Sequence, residues 1–160
     1  MKLHEIQTGD TSPGNARFAI VAARFNSDIV NNLLKGTLTT LEEHGVKDEN
    51  IETVFVPGAY ELPLAAKQLV DTHEFAAVIT LGCVIRGDTP HFDYVAGECA
   101  RGIMNVNLDA GIPVVFGVLT TDTVEQAQLR SQINGENKGV DCALCALEMN
   151  NVVNSIRDLP

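Results

Sequence analysis

Arg86-Gly87-Asp88-Thr89-Pro90-His91 brings together residues that can hold an anion and move a proton. The apolar run before it, residues 75–85, reads as a strand buried on both faces. Thr89 is a good N-cap and Pro90 suits a first helical position, so a helix is expected to start here. A strand that ends in glycine and turns into a helix start aims free N–H groups and the positive helix end at one point. His91 falls in that first turn and is the side-chain type that titrates near neutrality. Phosphate binding beside a proton carrier is the chemistry this spacing allows. The plainer alternative is an ordinary strand–helix joint with a surface histidine. His4, His44 and His73 lie in the tail or near helix ends and read as solvated.

The elements that position this stretch can be traced along the chain. Residues 17–23 form a first buried strand running into Arg24-Phe25-Asn26-Ser27, where Asn26 or Ser27 caps a helix. Val30, Leu33, Leu34, Thr37, Leu38 and Leu41 give that helix its period, and Gly45 stops it. Residues 50–56 form a second strand, ending in the sharp turn Pro57-Gly58-Ala59-Tyr60-Glu61-Leu62-Pro63. The helix after it carries Leu62, Ala65, Ala66, Leu69 and Val70. Beyond Thr89, Val95, Ala96, Cys99, Ile103 and Val106 follow helical spacing up to Gly111. Residues 113–119 form the fourth strand, and Thr123-Val-Glu-Gln126 is a capping box. A loop at residues 134–139 leads to a last helix, about 140–156, that is apolar around much of its circumference. Such a helix packs on more than one side, against a second subunit for example.

This βαβαβαβα order predicts an α/β fold, a three-layer α-β-α sandwich with a flavodoxin-like doubly wound parallel sheet of four strands. Residues 1–15 read as an N-terminal arm or edge strand and residues 16–160 as one domain. Ligands in such sheets bind beyond the carboxyl ends of the strands. Phe25, Gly58 to Glu61, Gly87 to His91 and Thr120–Thr121 all fall there, which raises the site reading above the plain one.

With 160 residues, 45% of them hydrophobic, the chain can bury a sizeable core. A net charge of −10 argues against nucleic acid or an anionic membrane as partner. No apolar run is long enough to span a bilayer and the first residues lack a signal-peptide core, so a cytoplasmic location is expected. Cys83, Cys99, Cys142 and Cys145 read as buried thiols, and the lone C-x-x-C is a poor zinc site.

The chain has no G-x-x-x-x-G-K-[ST], G-x-G-x-x-G or G-x-S-x-G, so nucleotide cradling and serine hydrolysis have no motif. The first strand ends in Ala-Ala-Arg-Phe rather than the clustered acids of a phosphorylation receiver. Other motifs do stand out in order: Arg24-Phe25-Asn26, Val56-Pro-Gly-Ala-Tyr-Glu61, the stretch from Gly82 to His91, Phe116-Gly-Val-Leu-Thr-Thr121 and Asn137-Lys-Gly-Val-Asp141. On these the chain resembles the 6,7-dimethyl-8-ribityllumazine synthases from about Ala16 to Asn151. The resemblance implies a transferase that condenses 5-amino-6-(D-ribitylamino)uracil with 3,4-dihydroxy-2-butanone 4-phosphate. Its products would be the lumazine precursor of riboflavin, phosphate and water, formed without metal or organic cofactor.

The resemblance also implies roles. Phe25 would stack on the pyrimidine; Ala59, Tyr60 and Glu61 would bind it, with Glu61 holding ribityl hydroxyls. Cys83, Val84 and Ile85 would offer backbone groups to the ring, Phe116 would line its pocket, and Lys138 would assist nearby. Asp88, Thr89 and Arg130 would bind the phosphate, and His91 would carry protons. Plainer roles are core packing for Phe25 and Phe116, a helix-start charge for Glu61 and a solvated helix end for Arg130. Several residues depart from the expected pattern. Cys83 stands in place of threonine, Asp88 is acidic beside a phosphate, Pro90 removes an N–H, Leu129 replaces glutamate, and Ser131-Gln-Ile is atypical.

Family resemblance further implies pentamers with the site between neighbouring subunits, and riboflavin synthase as a partner. The short loop at residues 132–137 favours twelve pentamers closing into a sixty-subunit icosahedral shell, with free pentamers or decamers as alternatives. Two rival functions are a catalytically idle flavin-binding or shell-forming homologue and a flavodoxin-like electron carrier.

Overall fold

The computed structural model describes residues 9–160. Strands β1 (Phe18–Ala23), β2 (Ile51–Val56), β3 (Ala77–Ile85) and β4 (Val114–Thr121) form one parallel sheet in the order β2-β1-β3-β4. The helices are α1 (Ser27–Glu43), α2 (Leu62–Asp71), α3 (His91–Ala110), α4 (Val124–Leu129) and α5 (Lys138–Arg157). Side chains alternate across each strand, so two separate cores form. Phe18, Ile20, Ile79 and Leu81 pack with Leu33 and Leu41 of α1 and Leu147 of α5. Ala19, Val21, Val78 and Val118 pack with Leu62 and Ala66 of α2 and Cys99 and Ile103 of α3. With both faces covered, all of β1 and nearly all of β3 are buried, which is why their sequences run apolar without alternation. This is the three-layer, doubly wound sandwich expected.

Local signals at the helix starts are only partly obeyed. Thr123 caps α4 by accepting the Gln126 N–H at 3.1 Å, while the Gln126 side chain accepts from the Asp122 N–H instead of closing the box. Asn26 stands at the start of α1 in the left-handed region (φ 59°) and caps with no side-chain bond. Its amide instead donates to the Cys83 carbonyl at 2.8 Å. Pro90, not Thr89, occupies the cap position of α3, and Thr89 Oγ1 accepts only a long 3.4 Å bond from the His91 N–H. The last helix starts at Lys138, two residues earlier than expected, because the Asn137 side chain caps it by accepting the Gly139 N–H.

Residues 9–15 contain no strand, and the Asn151 amide of α5 donates to the carbonyls of Asp10 and Ser12. The rest of the expected arm or edge strand, and His4, lies outside the described residues. No helix among the described residues is long and apolar enough to cross a membrane.

Cys83, Cys99 and Cys142 are buried free thiols, whereas Cys145 is exposed, contrary to the expectation that all four are covered. Burial pushes the thiols of Cys83 and Cys99 up to about 11 and that of Cys142 up to about 12. An unfolded chain releases these protons first, so folding stability is full below the ordinary thiol range and declines as pH rises toward 12. Urea unfolding between pH 8 and 11 is expected to show this decline. A Cys83→Ala/Cys99→Ala/Cys142→Ala chain should show a shallower one; an unchanged slope would exclude the thiols as its source.

Candidate active site

The strand order creates the site before any side chain is considered. From β1 the chain steps outward to β2, and from β3 it steps the other way to β4, so β1 and β3 flank the switch point of the sheet. β3 also outruns its neighbour: pairing with β1 stops at Leu81, while pairing with β4 continues to Ile85. Along a parallel strand, backbone groups face the two neighbours alternately. The Arg86 N–H donates toward β4, to the Thr121 carbonyl, whereas the Cys83 carbonyl faces the β1 side, where Asn26 reaches it. Cys83 and Ile85 therefore turn backbone donors and acceptors into the space beyond β1. The Val84 backbone belongs to the β4 ladder, and Val84 reaches that space through its side chain.

A cavity of about 590 Å³ occupies this switch point. Phe25, Ala59, Tyr60, Glu61, Cys83, Val84, Ile85, Thr89 and His91 all line it. Phe25 is 71% exposed, with its N–H held by the Pro57 carbonyl at 3.1 Å, so it is a ring on offer and not core. Gly58 lies between Phe25 and Glu61: a methyl group there would meet Glu61 Oε2 at 3.3 Å and Phe25 Cβ at 4.0 Å. Aromatic ring and carboxylate thus share one wall. His91, the first residue of α3, lines the same cavity.

Asn26 and Phe92 also line the cavity, and sequence reasoning did not place them in the site. The Arg86 guanidinium stacks on Phe92 at 4.3 Å and bridges Asp93 at 3.3 Å and Asp122 at 2.9 Å. These contacts tie the first turn of α3 to the end of β4. The signal in the sequence was an arginine seven residues ahead of an aspartate across a helix start, too common a spacing to single out.

Four expected site residues lie outside this cavity. Phe116, Arg130 and Lys138 line a larger groove of about 950 Å³ along the unpaired edge of β4, between Met104 and Leu108 of α3 and Met149 and Ile156 of α5. Thr120 and Thr121 face this groove as well, so the four strand ends do not meet at one rim as expected. β4 is an edge strand, and its outer side points away from the switch point. Arg130 Nη1 donates to the Gln126 carbonyl at 3.0 Å, and Lys138 Nζ meets Asp141 at 3.2 Å. Asp88 lines neither cavity and is exposed.

The chain therefore carries two separate clusters: ring, carboxylate and imidazole at the switch point, and ring, guanidinium and ammonium at the sheet edge. A family model for 6,7-dimethyl-8-ribityllumazine synthase matches residues 15–154. The chain belongs to the 6,7-dimethyl-8-ribityllumazine synthase family. Nearly the whole length is matched, including both clusters. Among the described residues no group of His, Cys, Asp and Glu is arranged to hold a metal ion.

Proposed function

We propose that the chain condenses 5-amino-6-(D-ribitylamino)uracil with 3,4-dihydroxy-2-butanone 4-phosphate to give 6,7-dimethyl-8-ribityllumazine, phosphate and water. The observation that carries this reading is the switch-point cavity, where Phe25, Glu61, the Cys83 and Ile85 backbone and His91 face one space. Each suits a part of a ribityl-substituted pyrimidine: a ring to stack on, an acceptor for hydroxyls, and strand-edge groups for the ring amides. The primary amine attacks the ketone and the carbinolamine loses one water; phosphate then leaves, the resulting enol becomes a ketone, and the second amine adds to it and expels a second water to close the ring. Each step moves a proton, and the His91 imidazole, which lines the cavity, supports the reading of it as the carrier. Holding two substrates in register supplies much of the remaining acceleration.

Arg130 binds the phosphate of the second substrate, with Thr89 contributing its hydroxyl and helix-start N–H groups. The two clusters are read as half-sites: separate on one chain, they make a complete site when a neighbouring copy brings its β4 edge to the switch point. The apolar groove beside β4 and the exposed Met149 and Ile156 support such an assembly, with a pentamer as its unit. Closure into an icosahedral shell is the assembly that the short loop at residues 132–137 favours. Light scattering of the purified protein distinguishes shell, decamer and pentamer.

An assay for fluorescent lumazine tests the reaction; absence of product from the assembled protein would reject it. Arg130→Ala is expected to raise KM for the phosphate substrate at least tenfold, with kcat changed much less, since a charge-assisted bidentate contact is worth about 1.5–3 kcal/mol. An unchanged KM would remove Arg130 from the phosphate site.

A further inference from the structure

We infer that Asn137 is the positioning residue that aims Arg130 and Lys138 together into the groove; the inference rests on the reaction proposed above. The two cations are eight residues apart, yet their backbones are joined, with the Lys138 N–H donating to the Arg130 carbonyl at 2.9 Å. Ser131 pairs antiparallel with Asn137, and the Gln132 N–H donates to the Glu136 carbonyl at 2.9 Å. Residues 130–138 thus fold back as a small hairpin with both cations at its mouth. Its tip, residues 132–136, is exposed and gives the hairpin no purchase on the body of the protein.

Asn137 supplies that purchase. Its side chain is buried, and every polar group on it is used. Oδ1 accepts the Gly139 N–H at 2.8 Å and starts α5. Nδ2 donates to the Asn32 carbonyl of α1 at 3.0 Å and to the Gln132 carbonyl at 3.2 Å. One amide therefore fixes the hairpin, α1 and α5 against each other. Gly36 of α1 makes room for it: a methyl group there would stand 2.5 Å from Oδ1. The side chains of the cations have weaker anchors of their own, a carbonyl one turn back for Arg130 and an exposed aspartate for Lys138. Their aim comes from the backbone that Asn137 holds.

No other side chain of this size combines one acceptor with two donors. Asn137→Asp keeps the cap on α5 but turns a carboxylate oxygen toward the carbonyls of Asn32 and Gln132, which releases the tether. Gly36→Ala pushes the native amide aside from the α1 side while placing a better helix former in that helix. Leu41→Ala, a buried position of α1 remote from the hairpin, is the control for lost stability alone.

The test is steady-state kinetics on the assembled protein, with inorganic phosphate as competing anion and a thermal melt for each variant. In both Asn137→Asp and Gly36→Ala we expect KM for the phosphate substrate to rise about tenfold and phosphate inhibition to weaken in parallel. The expected kcat stays within about threefold of wild type, and Leu41→Ala lowers the melting temperature without moving KM. An unchanged KM in either folded variant, or an equal rise in Leu41→Ala, overturns the inference. A wild-type protein that forms no lumazine rejects the proposed reaction instead.

Discussion

Alanine in place of His91 is expected to lower kcat about a hundredfold and to leave KM for both substrates within a few fold, the usual loss when a positioned proton carrier is removed. Some rate survives because binding two substrates side by side needs no imidazole. The larger effect follows from separation of the half-sites. His91 lines the switch-point cavity and Arg130 the groove beside β4. If each complete site takes one half from each of two neighbours, a mixed oligomer contains sites with both residues intact. Subunits carrying His91→Ala and Arg130→Ala, unfolded together and reassembled in equal amounts, pair at random. A given site draws a native His91 half the time and a native Arg130 half the time, so about a quarter of sites are whole. Activity at low phosphate substrate should then return to about a quarter of wild type, from a His91→Ala parent at about a hundredth and an Arg130→Ala parent at about a tenth. Recovery no better than the mean of the two parents would mean that the residues never meet across a boundary.

Why that arrangement escapes a reading of the residues alone is a matter of strand order. Buried strands β1 and β3, the glycine stops at Gly45 and Gly111 and the Thr123 cap are local signals, and all of them hold in the structure. The gathering of Phe25, Glu61 and His91 also follows from the rule that strand ends collect ligands, since β1, β2 and β3 lie side by side. Thr120 and Thr121 obey the same rule locally and yet fall outside, because β4 is placed last in the sheet and turns its free edge to the groove. Periodicity says that a strand exists; it does not say which strand ends the sheet. Asn26 shows a second limit. A helix cap was legible there, but not that its left-handed backbone would free the amide to reach Cys83, 57 residues away. The excess of apolar residues in α5 was legible and is accounted for on both sides. Leu147 and Ala143 enter the core, while Met149 and Ile156 face the groove.

Gly139→Ala should be the most damaging single methyl group in the molecule. In an open helix the change stabilises by about 1 kcal/mol, because alanine is the better helix former. Gly139, however, is where α5 crosses α1 at backbone distance. A methyl group built on it overlaps the Leu33 carbonyl oxygen and lies 2.8 Å from both the Leu33 carbonyl carbon and Thr37 Oγ1. The obstructing atoms are mainly backbone, so no rotamer change relieves the clash and the helices must part. Parting them lengthens the 3.0 Å bond from Thr37 Oγ1 to the Gly139 carbonyl, which is buried. Overpacking of this kind, with a buried hydrogen bond lost, costs about 3 kcal/mol. For a chain of this length that corresponds to a fall in Tm of about 6–12 °C. Gly97→Ala supplies the opposite sign: it lies inside α3 with nothing within 4 Å of the added methyl, so Tm should rise slightly. Scanning calorimetry on the two variants decides the matter, and a Gly139→Ala protein as stable as wild type would mean that α1 and α5 are not packed through this glycine.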